Sequence, residues 1–146
     1  MKVLIDTNVI VDNLARRDEY GESLRILILC EAGMLEGVIS AITVLDVMCI
    51  LRIYLSRAKA RETVQTITRI VEVVSVLPVD ISTAFSSDII DFEDAVQAAC
   101  ARRVNADYII TRNTKDFQKS SVPAITPRDM LNLLISIDKE DDSSKS

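Results

Sequence analysis

Short apolar runs alternate with longer segments of helical periodicity along this chain. The short runs are rich in Val and Ile, have the length of buried strands, and cover residues 2–6, 35–39, 73–77, 107–111 and 124–125. The longer segments place apolar residues at helical spacing and cover residues 7–14, 22–32, 41–55, 58–71, 81–90, 92–104 and 128–137. Because strands that alternate with helices form βαβ crossovers, the pattern predicts an α/β fold with a parallel sheet covered on both faces.

The length of 146 residues fits one domain, which we place at residues 1–137. Residues 138–146, with the sequence DKEDDSSKS, are mostly charged or small and polar, and we expect them to form a solvated, disordered tail. The first apolar run is interrupted by Asp6, unlike the apolar stretch of a signal peptide, and no window is long enough for a transmembrane helix. We therefore expect a cytoplasmic protein that does not enter a membrane.

The composition excludes several classes of enzyme. The chain has no His, which excludes serine and cysteine triads with an imidazole base and almost every catalytic zinc site. It has three glycines, too few and too scattered for a Walker loop or a dinucleotide fingerprint. Cys30, Cys49 and Cys100 lie among apolar or small residues, and we expect them to be buried, reduced thiols. An enzyme of this composition would depend on carboxylates and a metal.

The net charge of −5 has the wrong sign for a simple nucleic-acid-binding protein. Acids gathered around a bound cation would account for part of this charge. The basic residues that would then remain to contact phosphates are Arg16, Arg17, Arg52, Arg57, Lys59, Arg61, Arg102, Arg103, Arg112 and Lys115. For most of them, a solvated surface position is the alternative.

Two acids follow predicted strands, where the ligands of parallel sheets bind. Asp6 comes directly after Val3, Leu4 and Ile5, and its alternative role is the N-cap of the helix at residues 7–14. Asp116 lies in the polar turn that follows residues 107–111, and its alternative role is that of a solvated turn acid.

Three further acids lie on predicted helices or at their starts. Asp46 is the only charged residue within residues 37–51, and an ionised carboxylate is costly in such apolar surroundings without a partner or a metal. The alternatives are a buried Asp–Arg pair or a narrow exposed stripe. Asp91 and Asp94 begin the helix at residues 92–104, where they resemble a capping box. A helix start at this place would also aim Asp94 at the strand ends.

Together Asp6, Asp46, Asp94 and Asp116 approach one edge of the predicted sheet. Hard cations such as Mg²⁺ and Mn²⁺ prefer oxygen ligands, often one or two carboxylates with water and a substrate phosphate. In phosphodiester hydrolysis such a metal holds the phosphate, activates a water molecule and stabilises the leaving oxygen. The pattern of acids without His therefore favours Mg²⁺- or Mn²⁺-dependent phosphodiester chemistry.

Four segments make the chain resemble the PIN-domain family of metal-dependent nucleases, which includes the VapC-type ribonuclease toxins. They are LIDTNVIVD at 4–12, SAITVLDV at 40–47, DFEDAVQAACARRVNADYIITRNTKDF at 91–117 and VPAITPRDML at 122–131. The third is the most specific, because acids, small residues, a strand and a polar turn follow one another in the family's order. The resemblance covers residues 2–135 and implies a three-layer α/β/α fold with a parallel sheet of about five strands.

The resemblance also implies the roles of individual residues. The acids that it assigns to Mg²⁺ or Mn²⁺ are Asp6, Asp46 and Asp94, with Asp116 as a fourth, less constant acid. The supporting polar positions are Asn8, Thr111 and Asn113. Asp12 is expected to be a structural or rim residue. The acid at position 46 is usually glutamate in the family, so Asp46 leaves the strength of metal binding and catalysis open.

The leading hypothesis is an endoribonuclease that leaves a 5′-phosphate and a 3′-hydroxyl, acting as the toxin of a type II toxin–antitoxin pair. The alternative is a catalytically weak or inactive PIN domain that binds RNA or a protein, which Asp46 in place of glutamate would favour. A phosphotransfer domain of the receiver or haloacid-dehalogenase-like type fits less well. The second of these needs DxDxT after the first strand, where this chain has DTNVI at 6–10.

The helix at residues 22–32 predicts an assembly of two copies. Its apolar residues exceed what one layer of a small sheet covers, and they are Leu24, Ile26, Leu27, Ile28 and Leu29. We therefore expect a homodimer. The family resemblance points the same way and adds an antitoxin as a protein partner.

Overall fold

The structure is a computed structural model that describes residues 1–17 and 20–146. Its strands are β1 (Lys2–Ile5), β2 (Glu36–Ser40), β3 (Glu72–Val74), β4 (Tyr108–Ile110) and β5 (Ala124–Ile125). Its helices are α1 (Thr7–Ala15), α2 (Tyr20–Glu31), α3 (Ala41–Tyr54), α4 (Arg57–Ile70), α5 (Pro78–Phe85), α6 (Phe92–Arg103) and α7 (Pro127–Ser144). A short 3₁₀ helix, Thr114–Phe117, follows β4.

Within these residues, five strands form one sheet in the order β3-β2-β1-β4-β5, and each pair of neighbours is parallel. Alternate residues of β1 face opposite sides, as in any strand. Val3 and Ile5 join a core with α1, α2, α3, α4 and α7, whereas Leu4 joins a second core with α5 and α6. The predicted α/β/α architecture and parallel sheet are therefore confirmed.

Helix α5 does not lie where the sequence predicted it. It covers Pro78–Phe85, whereas the apolar pattern predicted a helix at residues 81–90. Pro78 occupies the first turn, where its missing N–H costs nothing, and Asp80 accepts the N–H of Leu77 at 2.8 Å. Proline thus begins this helix, and the preceding strand, expected at residues 73–77, is observed as β3 at Glu72–Val74.

The C-terminal helix is longer than predicted. The expected helix ended at residue 137, but α7 continues to Ser144 and includes most of the acidic segment at residues 138–146. Side chains of Ser143 and Ser144 donate to carbonyl oxygens one turn earlier, those of Glu140 and Asp141. The segment predicted as a disordered tail is therefore helical as far as Ser144, and it is exposed.

Two local environments differ from the sequence-based expectations. Among the described residues the cysteines are free thiols, but only Cys30 and Cys100 are buried and Cys49 is exposed. Cys49 lies on the outer side of α3, which contacts the core with its opposite side. In α2, Leu24 and Ile28 are 41% and 51% exposed. Ile26 is fully buried, so the apolar surplus of this helix is narrower than the sequence indicated.

The connection between α2 and β2 depends on glycine at two points. Gly33 has φ +75°, a conformation that L side chains rarely adopt, and it lies just beyond the end of α2 at Glu31. Gly37 lies so close to α2 that a Cβ atom would be 2.6 Å from Cys30 Sγ.

In the part of the chain that the structure describes, no helix is both long and apolar enough to cross a membrane.

Candidate active site at the carboxyl edge of the sheet

Asp6 lies at the end of the central strand β1 and is 7% exposed. Its Oδ1 accepts the N–H of Thr7 at 2.8 Å, which makes it the N-cap of α1. Its Oδ2 accepts the hydroxyl of Thr111 at 2.8 Å, at the end of the neighbouring strand β4. Asp6 therefore fulfils both interpretations that the sequence left open, since it caps a helix and faces the carboxyl edge of the sheet.

Thr111 and Asn8 link the ends of β1 and β4. The Asn8 amide donates to Thr111 Oγ1 at 3.4 Å, and its Oδ1 accepts the N–H of Arg112 at 3.2 Å. Thr111 Oγ1 also accepts the N–H of Asn113 at 3.1 Å. Because these contacts fix the Thr111 hydroxyl, they also fix the carboxylate of Asp6 to which it donates.

Two buried residues on the other side of Asp6 were not identified from the sequence. Gln97 is fully buried in α6, donates to Thr43 Oγ1 at 2.9 Å and hydrogen-bonds to Asp6. The Thr43 hydroxyl lies 2.9 Å from that of Thr7. Gln97 is a polar residue in an otherwise apolar stretch of α6, residues 95–101, and this was the available signal. A buried amide in such surroundings needs partners. The Gln97 Nε2 group finds one in Thr43, whereas its Oε1 is buried without a hydrogen-bond partner among the described residues.

The acids surround one cavity of about 290 Å³. Its polar and charged lining consists of Asp6, Thr7, Asn8, Arg17, Asp91, Glu93, Asp94, Asn113 and Asp116. Five of the seven predicted site residues are among them, namely Asp6, Asn8, Asp94, Asn113 and Asp116. Of the other two, Thr111 contacts the site through Asp6, and Asp46 contacts it through Glu93.

Asp91 and Asp94 have different functions at the start of α6. The Asp91 carboxylate accepts the N–H of Asp94 at 2.9 Å, so Asp91 is the N-cap that the sequence predicted. The side chain of Asp94 lines the cavity. Burial raises the pKa of Asp94 to about 7, and the charges of Asp6, Asp91 and Asp116 contribute to this rise. The acids are therefore close enough to repel one another.

The pKa of Asp6 is also raised above its ordinary value. Burial is the main cause, and the charge of Asp116 adds to it. Hydrogen bonds from Thr111, Thr7 and Gln97 act in the opposite direction, because they stabilise the ionised carboxylate. The site thus places negative charge in a poorly solvated position and partly compensates for it with neutral donors.

Asp46 is half-buried in α3, and its partner is an acid. The carboxyl of Glu93 hydrogen-bonds to Asp46, and this contact, with burial and nearby acids, raises the pKa of Glu93 to about 8. The sequence had suggested an arginine as the alternative partner of Asp46, and the structure places a carboxyl group there instead. Glu93 lines the cavity and was not among the predicted site residues.

Asp12 lies one turn beyond Asn8 and is 2% exposed. Its Oδ1 is 2.7 Å from Arg112 Nη1 and 3.5 Å from Arg17 Nη1. Asp12 does not line the acidic cavity, whereas Arg17 does. The structure therefore places Asp12 behind the rim of the site, which agrees with the structural or rim position expected from the sequence.

The donor set is suited to a hydrated hard cation. Within residues 1–17 and 20–146, no three acidic, cysteine or histidine side chains converge as a ready-made metal cage. Mg²⁺ usually keeps several water ligands and takes only one or two carboxylates directly, so it does not need such a cage. Asp6, Asp94 and Asp116 place carboxylate groups around one cavity, and a divalent cation would relieve their mutual repulsion.

The structure thus defines a three-layer α/β/α domain with an acidic cavity at the carboxyl edge of a parallel sheet. The sequence matches the model of the PIN domain over residues 2–115. The chain therefore belongs to the PIN-domain family, as its sequence motifs indicated. Comparison with curated proteins finds no match.

Solved structures with the same fold come from bacterial toxin–antitoxin systems. The structure of VapBC-1 from nontypeable Haemophilus influenzae matches with a TM-score of 0.69 and 20% identity, covering 88% of this chain and 99% of that one. A toxin–antitoxin complex from Klebsiella pneumoniae matches with a TM-score of 0.66 and 24% identity, covering 86% and 97%. VapBC2 from Rickettsia felis, bound to a promoter DNA fragment, matches with a TM-score of 0.68 and 16% identity, covering 86% and 98%. At these identities, the matches establish the fold.

Proposed function

We propose that this protein is a Mg²⁺- or Mn²⁺-dependent endoribonuclease and the toxin of a toxin–antitoxin pair in the cytoplasm. The observation that carries the proposal is the cavity into which separate elements bring Asp6, Asp94 and Asp116. Membership of a nuclease family and structural likeness to toxin–antitoxin proteins support it. The acids without any His also leave carboxylate-held metal as the available route to hydrolysis.

In this proposal Asp6, Asp46 and Asp94 hold the metal, and Asp116 is the fourth acid. When bound, the metal supplies charge for the scissile phosphate and for the oxygen that leaves it. The chain supplies orientation. Thr111 donates to the carboxylate of Asp6, and Gln97 adds to the stabilisation of its ionised form. The N–H of Asp94 donates to Asp91, and this cap fixes the turn that carries Asp94. Asp46 acts at the edge of the cavity, beside Glu93.

We infer that the protein partner is an antitoxin and that it binds a groove on the face opposite α5 and α6. A cavity of about 330 Å³ lies between α1, α2 and α4. Its apolar lining includes the exposed Leu24 and Ile28, with Leu14 and Ile70 beside them. The Klebsiella pneumoniae structure with the same fold is a toxin–antitoxin complex. This supports a segment of an antitoxin as the occupant of the groove.

The homodimer is proposed for a different surface. Leu45, Cys49 and Ile53 recur every four residues of α3 and form an exposed stripe, with Leu45 and Ile53 67% and 74% exposed. An apolar stripe of this kind usually marks a contact between proteins. Light scattering of the parent and of Ile53→Asp tests it. We expect a dimer that the substitution weakens, and a parent that stays monomeric at high micromolar concentration would contradict it.

Cleavage of an RNA panel by the purified protein tests the function. We expect cleavage with Mg²⁺ or Mn²⁺, none after chelation with EDTA, and products that carry 5′-phosphates. DNA oligonucleotides of the same sequences provide the control for substrate class. RNA binding without cleavage under any of these conditions would favour the alternative, an inactive domain that only binds RNA. Aspartate in place of the family's usual glutamate at position 46 is the observation that favours this alternative.

A further inference from the structure

The buried carboxylate of Asp12 holds two arginines. Oδ1 of Asp12 is 2.7 Å from Arg112 Nη1 and 3.5 Å from Arg17 Nη1. The carbonyl oxygen of Asp12 also accepts the N–H of Arg17 at 3.0 Å. One acid therefore fixes the positions of two cations, and the group of three side chains keeps a net positive charge.

Both arginines are close to the acidic cavity. The side chain of Arg17 lines it together with Asp6, Asp94 and Asp116, and 46% of that side chain is exposed. Arg112 follows Thr111 directly, and 38% of its side chain is exposed. The cations are thus held beside the acids on a surface that solvent reaches.

A purely structural ion pair would require only one of these arginines. Arg112 already satisfies the buried Asp12 with a short, charge-assisted hydrogen bond. Arg17 is held at a longer distance, and among the described residues this contact with Asp12 uses one of its five N–H donors. Guanidinium groups bind phosphate oxygens through paired N–H donors, and a pre-positioned guanidinium loses little entropy on binding.

We propose that Asp12 is a positioning residue that holds Arg17 and Arg112 as a clamp for an RNA backbone phosphate. That phosphate is a neighbour of the one that is hydrolysed, because Arg17 lies on the rim of the same cavity. The inference rests on the proposed ribonuclease function. It adds a strand-binding subsite and assigns it to a residue that touches no substrate itself.

The experiment measures binding of a fluorescent single-stranded RNA, with Ca²⁺ in place of Mg²⁺, as a function of salt concentration. We expect Arg17→Gln to raise Kd about tenfold, as for the loss of one charge-assisted hydrogen bond. The slope of log affinity against log salt should become shallower by about 0.7, the value for one phosphate contact to a single strand. Arg69→Gln is the control, because this exposed arginine lies in the last turn of α4, just before β3 begins at the opposite edge of the sheet.

Asp12→Asn separates positioning from overall charge. The substitution removes a negative charge, so long-range electrostatics alone would strengthen RNA binding. The clamp predicts the opposite, a higher Kd and a shallower salt slope, with KM raised more than kcat is lowered. In the double variant with Arg17→Gln the loss should be smaller than the product of the two single losses, because both act on one guanidinium.

Melting curves show whether Asp12→Asn is folded at the assay temperature. If it is not, Arg17→Gln decides the question, since its exposed side chain can be shortened without disturbing the core. If the parent cleaves RNA and Arg17→Gln keeps the parental Kd and the parental salt dependence, the clamp is wrong and the proposed ribonuclease function still stands. A parent that neither binds nor cleaves RNA would overturn both.

Discussion

The carboxyl of Glu93, in the first turn of α6, hydrogen-bonds to Asp46 in the middle of α3. Two acids share this contact, and it contributes most to raising the pKa of Glu93 to about 8. Glu93 lines the acidic cavity, whereas Asp46 reaches it only through Glu93. The structure therefore gives a physical meaning to the shorter acid at position 46, since its carboxylate stops short of the cavity and a second acid occupies the space.

We predict that Asp46→Glu keeps or raises metal affinity and cleavage, while Asp46→Ala loses most of both. Glutamate adds one methylene, a reach of about 1.5 Å. Direct Mg²⁺–oxygen bonds require about 2.0–2.1 Å, so the shorter acid is expected to act through water. Calorimetric titration with Mn²⁺ and cleavage assays on both variants measure the effect. Asp46→Ala that binds Mn²⁺ and cuts RNA like the parent would exclude Asp46 from the site.

Much of the site could be predicted from the sequence, because strand ends and helix starts have fixed directions in a parallel sheet. Asp6 and Asp116 come after β1 and β4, as the predicted strands indicated, and Asp94 lies in the first turn of α6. All three line one cavity in the structure. Their convergence required only the βαβ topology, which the alternation of short and long apolar segments already indicated.

The contacts that hold these acids could not be predicted in the same way. Gln97 hydrogen-bonds to Thr43, which is 54 positions away in the sequence, and Glu93 of α6 contacts Asp46 of α3. Such pairs depend on how two helices pack, and periodicity within one helix contains no information about this. Helix α5 was misplaced for a different reason, because Pro78 and Asp80 are local start signals that outweigh the apolar pattern. The helix begins where the N–H of Leu77 donates to Asp80 Oδ2 at 2.8 Å.

We predict that Asp94→Asn reduces metal-dependent RNA cleavage by more than about 100-fold without unfolding the protein. Asparagine keeps the size of the side chain but removes the anionic ligand. The capping bond is preserved, because it uses the backbone N–H of residue 94 and the side chain of Asp91. Loss of repulsion with Asp6 and Asp116 should leave the metal-free Tm equal to or above that of the parent. Asp138→Asn, on the exposed end of α7, is the control. Parental cleavage rates across a Mn²⁺ titration would refute the assignment.

We predict that Gly37→Ala destabilises the protein by about 1–3 kcal/mol, the usual cost of overpacking a core. The added Cβ would lie 2.6 Å from Cys30 Sγ and 2.9 Å from Val71 Cγ1. Gly21→Ala is the matched control, because in the described part of the chain nothing lies within 4 Å of its added Cβ in α2. Alanine is the better helix former by about 1 kcal/mol, so the control should change stability in the opposite direction. Urea denaturation measures both, and two variants of equal stability would show that the contact at Gly37 is easily relaxed.

Asp80 is 2% exposed in α5 and joins this helix to α6 through Arg103. Its Oδ1 is 3.0 Å from Arg103 Nε, and its Oδ2 accepts the N–H of Leu77 at 2.8 Å. Burial acts to raise the pKa of Asp80, but Arg103 and the hydrogen bonds outweigh it and hold the pKa below the ordinary value. A carboxylate whose pKa is lowered by folding stabilises the protein above its unfolded pKa, and this contribution is lost as the pH falls through the folded pKa.

Asp80→Asn should therefore lower the free energy of unfolding at pH 7 by about 3 kcal/mol, the lower range for a broken buried pair. The difference from the parent should shrink below about pH 4, near the ordinary pKa of aspartate. Urea denaturation at pH 7 and at pH 3 measures both values. A difference that stayed constant between these pH values would mean that the ionised form of Asp80 contributes nothing to stability.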